Sequence, residues 1–409
     1  MNTKKTNRGL ILAAAAVTGG VTGSFYMWSV CKGPLADMNG WTPNEVTLAY
    51  SLFILGVFLF AFINSFVVKK LPTGPVVLAA GLIFSLGWFL TGTAKTPMQL
   101  YIYFGLMCGG ADGFIYSNAV SAATKWFPDK KGFANGLCIG CMGGATIIFA
   151  PLCNWLIETY GVVLALKIVG IILAVCYLIF SLMLKAPEPG WKPEGWEPAA
   201  NSTAVASRDY KWHEALRTPK FYVIFLLFIT AAVSGMMMTG NVSGIGQQLC
   251  GMTAAQGAMM VSIMALFNFI GRFAFGSVSD KIGRYNTLYI VLIVTAIVMF
   301  FGFRMVSGFV GFVIAIGIVG ACFGGVMALI PSLTSDALGT RYFTENYAMI
   351  YGGYTVASFI GPMVASNCFQ VSGNYDVAFT VAGILTIVGV IFVFLLQKIK
   401  KKEMLKDAT

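Results

Sequence analysis

The chain has 409 residues, 57% of them hydrophobic and only 11% charged, with a formal net charge of +11. That balance excludes a water-soluble globule, which could not cover so much apolar surface at this length. The one histidine, His213, sits in a polar stretch, so a His-based metal centre and a His-dependent triad are excluded and no cofactor is expected.

Runs of about 20 apolar residues, the length of helix that crosses a bilayer, recur along the chain. Spans are predicted near 10–31, 44–68, 74–94, 98–124, 132–157 and 161–184. Six more follow near 220–247, 254–279, 285–304, 308–335, 344–369 and 375–397. The first is longer than a signal-peptide core and lacks a small-x-small cleavage site, so it reads as a retained span. Residues 185–219, rich in Pro, Glu and Lys, form the only long linker. The predicted architecture is an all-α integral membrane protein with twelve transmembrane helices. A six-helix bundle over 1–184 precedes the linker, and a second over 220–409 follows it. Many secondary transporters are built from such repeats.

Placing both termini in the cytoplasm puts 22 of the 27 Lys and Arg residues on that side, the bias expected of cytoplasmic loops. The exceptions are Lys32, Lys95, Lys167, Arg272 and Arg304. The basic charge therefore reads as an orientation signal. A nucleic-acid partner would need one contiguous basic surface, and none is expected.

Nine cysteines are dispersed, mostly within spans, which describes no disulfide framework. Cys138 and Cys141 form an isolated CxxC in a glycine-rich helix, better read as small-residue packing than as a metal or redox motif. Gly109/Gly113, Gly136/Gly140 and Gly140/Gly144 give similar faces for tight helix contact.

GSVSDKIGR (276–284) follows the eighth span and has the form GxxxDKxGR. Gly276 permits close backbone packing, while Asp280, Lys281 and Arg284 can make a charge-assisted clasp at the cytoplasmic ends of neighbouring helices. This loop resembles the signature of the major facilitator superfamily, and the resemblance implies that fold. The corresponding segment after the second span, NSFVVKKLPTGP (64–75), keeps Lys69 but has Val68 in place of the acid. The first half is therefore expected to lack this clasp.

KWFPDKKGFANG (125–136) resembles the loop after helix 4 in the oxalate/formate antiporter family and its monocarboxylate transporter relatives. PGWKPEGW (189–196) is similar to the linker of bacterial members. FYMWS (25–29), GFIY (113–116), IPSLTSDALGT (330–340) and ENYAMIYGGYTVAS (345–358) extend the resemblance over essentially the whole chain.

Arg272 lies among Phe267, Phe269, Ile270, Phe273 and Phe275, where an isolated guanidinium is costly. Counted from Asp280 at the inner edge, it is about 12 Å into a core about 30 Å thick. An ionised residue at this depth faces a protein interior or an aqueous cavity and is a functional candidate. In the resembled family an arginine of helix 8 at this position binds the substrate carboxylate, a task suited to its planar fork. The plainer reading is a charge paired with a buried acid, for which Asp112 is available.

Oxalate exchangers of that family add a lysine in helix 11, and the matching position here is Tyr354. It lies about 13 Å from the inner edge at Glu345, a depth at which it can share a cavity with Arg272. One fixed cation suits one carboxylate, and a dianion would leave its second charge facing a phenol. Phe323 and Met327 in helix 10 form an apolar wall for a short alkyl or hydroxyalkyl tail, or simply pack.

Asp112 is an acid inside a span, four residues before Tyr116 and on the same helix face. Tyr116 matches a site tyrosine of the family, whereas Asp112 departs from the oxalate pattern. A buried carboxyl without a partner can carry a proton; the alternative is a hydrogen-bonded packing residue. Animal monocarboxylate transporters place an acid four residues before the arginine, where this chain has Asn268. Tyr26, Trp28 and Asn241 are further cavity candidates or packing residues, and Lys32 reads as an entrance or snorkelling lysine.

The expected function is proton-linked, alternating-access transport of a small monocarboxylate resembling lactate, pyruvate or formate. The expected setting is the plasma (inner) membrane, with a monomer whose partners are the anion, protons and the lipid bilayer. Oxalate/formate-type anion exchange is the rival, weakened by Tyr354. From another class, a membrane carboxylate receptor that does not transport is also considered. No paired-Asp or Ser/Lys constellation points to an intramembrane enzyme.

Overall fold

The computed structural model describes residues 7–188, 191–193 and 208–407. Much of the predicted linker, including parts of PGWKPEGW, lies outside the described residues. Among those residues, twelve long helices follow one another. They are α1 Arg8–Asn39, α2 Pro43–Val67, α3 Thr73–Thr91 and α4 at 97–126. Next come α5 at 131–160 and α6 at 162–183, parted at Gly161, whose φ is 80°. After the linker come α7 Pro219–Cys250, α8 Ala254–Ile282 and α9 Arg284–Met305. The last three are α10 Gly308–Leu338, α11 Phe343–Ser372 and α12 Asp376–Asp407.

Ten stretches are long and apolar enough to cross a membrane. The stretch 131–183 holds both α5 and α6. Helix α4 is too polar to count among the ten, because it carries Asp112, Ser117, Asn118, Ser121 and Thr124. The twelve predicted helices are therefore present, and the least oily one bears the candidate acid.

Two helix starts preserve the trace of a repeat. Gly40 ends α1 in a left-handed conformation (φ 68°), and Thr42 with Glu45 then forms a capping box on α2. Gly251 ends α7 the same way (φ 60°), and Thr253 with Gln256 caps α8. Glycine supplies the positive φ, and the Thr–Glu/Gln pair satisfies the free amides of the next helix. The Thr42 backbone N–H, donating to Glu45 Oε2 at 2.8 Å, holds that carboxyl below its usual pKa.

The chain forms two compact units, Met1–Asp129 with Cys141–Pro198 and Lys130–Gly140 with Ala199–Thr409. The opening turns of α5 thus belong to the second unit. In the first unit α4 packs on α1, α2 and α3. A Cβ at Gly109 would fall on Phe53 O and one at Gly113 on Val57 O, so the expected small-residue face is there, against α2.

In the second unit α8 packs along α10, with Gly271 against Ala321 and Gly324 against Asn268. Its core is rich in methionine, with Met237, Met238, Met260, Met264 and Met299 around Phe303 and Phe379, whose rings stack at 4.7 Å. Unbranched Met side chains fill irregular gaps between helices.

Candidate functional site

In the second unit, Arg272 on α8 is only 3% exposed. Its Nη1 donates to the backbone carbonyl of Ile139 on α5 at 2.5 Å, while its buried Nε has no hydrogen-bond partner among the described residues. No carboxylate among the described residues forms an ion pair with it. A backbone carbonyl answers one N–H and leaves the positive charge uncompensated, so the group has capacity for an anion.

Glycines allow α5 to lie this close. A Cβ at Gly136 would fall on Arg272 O, and a Cβ at Gly132 on Gly276 O, whereas Gly140 leaves 3.6 Å to Phe269. The backbone of α5 thereby reaches the arginine from one side, and Phe133 packs edge-on to Phe273 at 5.5 Å.

The other candidates of this unit take different surroundings. Asn268 Nδ2 donates to Gly320 O at 3.4 Å, a helix-packing contact. Phe323 is wedged against Gly235 of α7, and Met327 is 3% exposed. Tyr354 sits in an aromatic group with Phe228 (5.8 Å) and Tyr351 (5.1 Å). Asn241 Nδ2 donates to Met237 O one turn back on α7 at 3.0 Å.

At one end of the unit lies a network of charges. Asp280 accepts from the amides of Gly132 (3.0 Å) and Phe133 (2.8 Å), at the N-terminus of α5, and pairs with Arg284 at 2.6 Å. A carboxylate there meets the unsatisfied amides and the positive end of the helix dipole. Arg284 also approaches Asp336 at 3.5 Å, and Asp336 pairs with Lys131 at 2.8 Å. Lys131 donates further to Ser335 at 3.1 Å, and Asn135 to Ser332 at 3.2 Å. Two acids and two bases alternate, so each buried charge has an opposite neighbour. Lys281 is exposed and has no hydrogen bond or ion pair among the described residues. Lys281 follows Asp280 on α8 and is turned about 100° away from it, whereas Arg284 opens α9 after the break at Gly283 (φ 89°).

The first unit holds the remaining candidates. Asp112 is 1% exposed, and neither carboxylate oxygen has a hydrogen-bond partner among the described residues. Thr22 lies against it, but its hydroxyl donates to Gly19 O at 2.7 Å. Tyr50, Cys108 and Tyr177 are within electrostatic reach, and none of them is a cation. The turn before Asp112, Tyr101–Cys108, is π-helical, a widening often found beside functional residues. Tyr116 is buried on the same helix. Tyr26 is half-buried in the 3₁₀ stretch Gly23–Met27 that interrupts α1. Trp28 stacks on Phe104 at 4.1 Å, which in turn meets Phe53 and Trp88, so the indole is part of an aromatic core.

Three comparisons bear on this arrangement. A family model described as the Major Facilitator Superfamily matches residues 10–343 and 245–408. The chain belongs to the major facilitator superfamily. An uncharacterized MFS-type transporter, YhjX, of Escherichia coli (strain K12) is 29% identical over 353 residues, 86% of each chain. The oxalate:formate antiporter of Oxalobacter formigenes is 30% identical over 343 residues, 83% of this chain and 80% of that one. Monocarboxylate transporter 12 of Rattus norvegicus is 24% identical over 344 residues, 78% and 71% of the two chains. Among solved structures, the E. coli fucose:proton symporter FucP superposes with a TM-score of 0.74 at 15% identity, covering 94% of this chain and 98% of its own.

As a multi-pass member of the superfamily, the chain carries its loop motif with an unforeseen partner set. Asp280 and Arg284 pair with each other, but the lysine of the network is Lys131, the first residue of α5. The signal was present in two quoted segments, KWFPDKKGFANG and IPSLTSDALGT, whose polar residues turn out to bind each other. In the first half, where Val68 replaces the acid, a neutral cluster joins α2 to α4. Asn64 Nδ2 donates to Ser117 Oγ at 2.8 Å, and Asn118 Nδ2 to Asn64 Oδ1 at 3.1 Å. Lys69 instead lies over the ring of Phe66 at 5.2 Å.

Proposed function

We propose that this chain is a secondary transporter of small monocarboxylates, working by alternating access and driven by protons. The observation that carries the reading is the buried guanidinium of Arg272, which among the described residues is answered only by a backbone carbonyl and keeps its Nε unpartnered. A carboxylate is the anion that fits a planar fork of N–H donors. Two relatives support the same class by name, an oxalate:formate antiporter and a monocarboxylate transporter. Tyr354, where oxalate exchangers carry lysine, favours one negative charge over two. Phe323 and Met327 supply the apolar side for a short tail.

Asp112 is the proton carrier in this reading. Among the described residues this carboxylate accepts no hydrogen bond and pairs with no cation; an ionised group left so is costly in an apolar interior, and taking up a proton removes that cost. The Lys/Arg bias supports cytoplasmic termini, and in this reading the protein works as a monomer in the plasma (inner) membrane. Oxalate/formate-type exchange remains the second reading, favoured by the 30% identity to that antiporter.

The test is uptake of labelled formate, lactate, pyruvate and oxalate into proteoliposomes, with and without an imposed pH gradient. Accumulation of monocarboxylates driven by an inward proton gradient, and its loss in Arg272→Lys, is the expected result. Binding without accumulation would mark a receptor and end the proposal.

A further inference from the structure

Cys31 and Cys153 are both fully buried, and their Sγ atoms lie 3.3 Å apart. They come from two helices of the first unit that run side by side in step. At one end Arg8 makes a two-pronged ion pair with Asp129, just before α5, with N–O distances of 2.7 and 3.1 Å. Further along, Gly20 faces Cys141 and Gly23 faces Met142. At the far end come the two thiols. The sequence separation is 121 residues at the ion pair and 122 at the thiols, so the register holds along the whole contact. The thiols stand about 33–35 Å along their helices from Arg8 and Lys131, at the far face of a core about 30 Å thick.

We propose that Cys31 and Cys153 are a modification site that closes reversibly to a disulfide and ties the far half of α1 to α5. The tie falls beyond the 3₁₀ stretch Gly23–Met27, so it would restrain the part of α1 that follows this interruption. The co-reactant is a small disulfide. One protein thiolate attacks it, forming a mixed disulfide and releasing one thiolate; the second protein sulfur then displaces the other. The protein loses two electrons and two protons, and the small disulfide becomes two thiols. With the orientation proposed above, the pair lies on the side of the membrane away from the cytoplasm, where disulfides persist. That clause rests on the transport reading; the sulfur geometry does not.

The experiment treats the full-length protein in proteoliposomes with cystamine, then alkylates and digests it under non-reducing conditions. The expected result is a linked peptide pair containing Cys31 and Cys153, cleaved by dithiothreitol and absent from Cys31→Ser and Cys153→Ser. Cysteamine adducts that persist on the wild type without any linked pair, or continued alkylation of both as free thiols, would overturn the proposal. The initial transport rate should fall at least fivefold on linkage in the wild type and stay unchanged in Cys31→Ser. Linkage with an unaltered rate would overturn the restraint on α1. Because the crosslink is read by mass, its outcome is separate from whether the transport reading holds.

Discussion

Lys131 Nζ lies 2.8 Å from Asp336 Oδ1, and the two residues are 205 positions apart in the chain. Both side chains are under 10% exposed, and Asp336 also lies 3.5 Å from Arg284, so Lys131 depends on Asp336 more than the acid depends on the lysine. Removing one member of a buried pair leaves an uncompensated charge, at a cost of roughly 3–5 kcal/mol. Lys131→Met and Asp336→Leu are each expected to lower the melting temperature in detergent. The double variant should recover part of the loss, which thermal unfolding of all four proteins will show.

The acid that binds α5 distinguishes two neighbours in the loop. Asp280→Asn keeps the size but removes the charge that faces Arg284 and the amides of Gly132 and Phe133. It should slow transport at least tenfold. Lys281→Gln removes an exposed charge with no partner among the described residues and should leave the initial rate within a factor of two.

Glycine positions on α5 offer a steric test. A Cβ at Gly136 would overlap Arg272 O, a backbone atom that cannot step aside, whereas Gly140 has room. Gly136→Ala should destabilise by about 1–3 kcal/mol, while Gly140→Ala should be neutral in the same unfolding assay. Equal effects would remove the close-approach account of this helix pair.

Charge matching predicts a gain of substrate. Tyr354→Lys adds a second cation, so oxalate uptake should rise relative to formate, read as the ratio of initial rates. A ratio unchanged from the wild type would contradict the one-cation, one-carboxylate argument.

Proton coupling depends on Asp112. Asp112→Asn is nearly isosteric but cannot release a proton. Uptake driven by an inward proton gradient should vanish, while exchange at equal pH on both sides continues. Retained gradient dependence would place the proton elsewhere.

How much of this was legible in the sequence depends on how local each signal is. Spans are set by the composition of some 20 neighbouring residues, so even α4 was found from its flanks despite its polar face. The burial of Arg272 also followed from its immediate neighbours and its distance from Asp280. The capping boxes at Thr42 and Thr253 lie within six-residue segments.

Partner choice is a different kind of quantity. Asp280 meets amides 147 and 148 residues away, Arg272 a carbonyl 133 away, and Cys31 a thiol 122 away. Sequence spacing pointed to Lys281 because it adjoins Asp280, yet helical rotation turns it aside and packing delivers Lys131 instead. The sequence left Trp28 open between a cavity and a packing role, and only the position of Phe104 sets it at the edge of an aromatic core. Apolar patterning and helix ends act through nearest neighbours, so the amino-acid sequence by itself determined the helices, their order and the costly charge of Arg272 among them. Which charges, thiols and rings meet depends on how helices pack across more than a hundred residues, and that the tertiary structure alone decided.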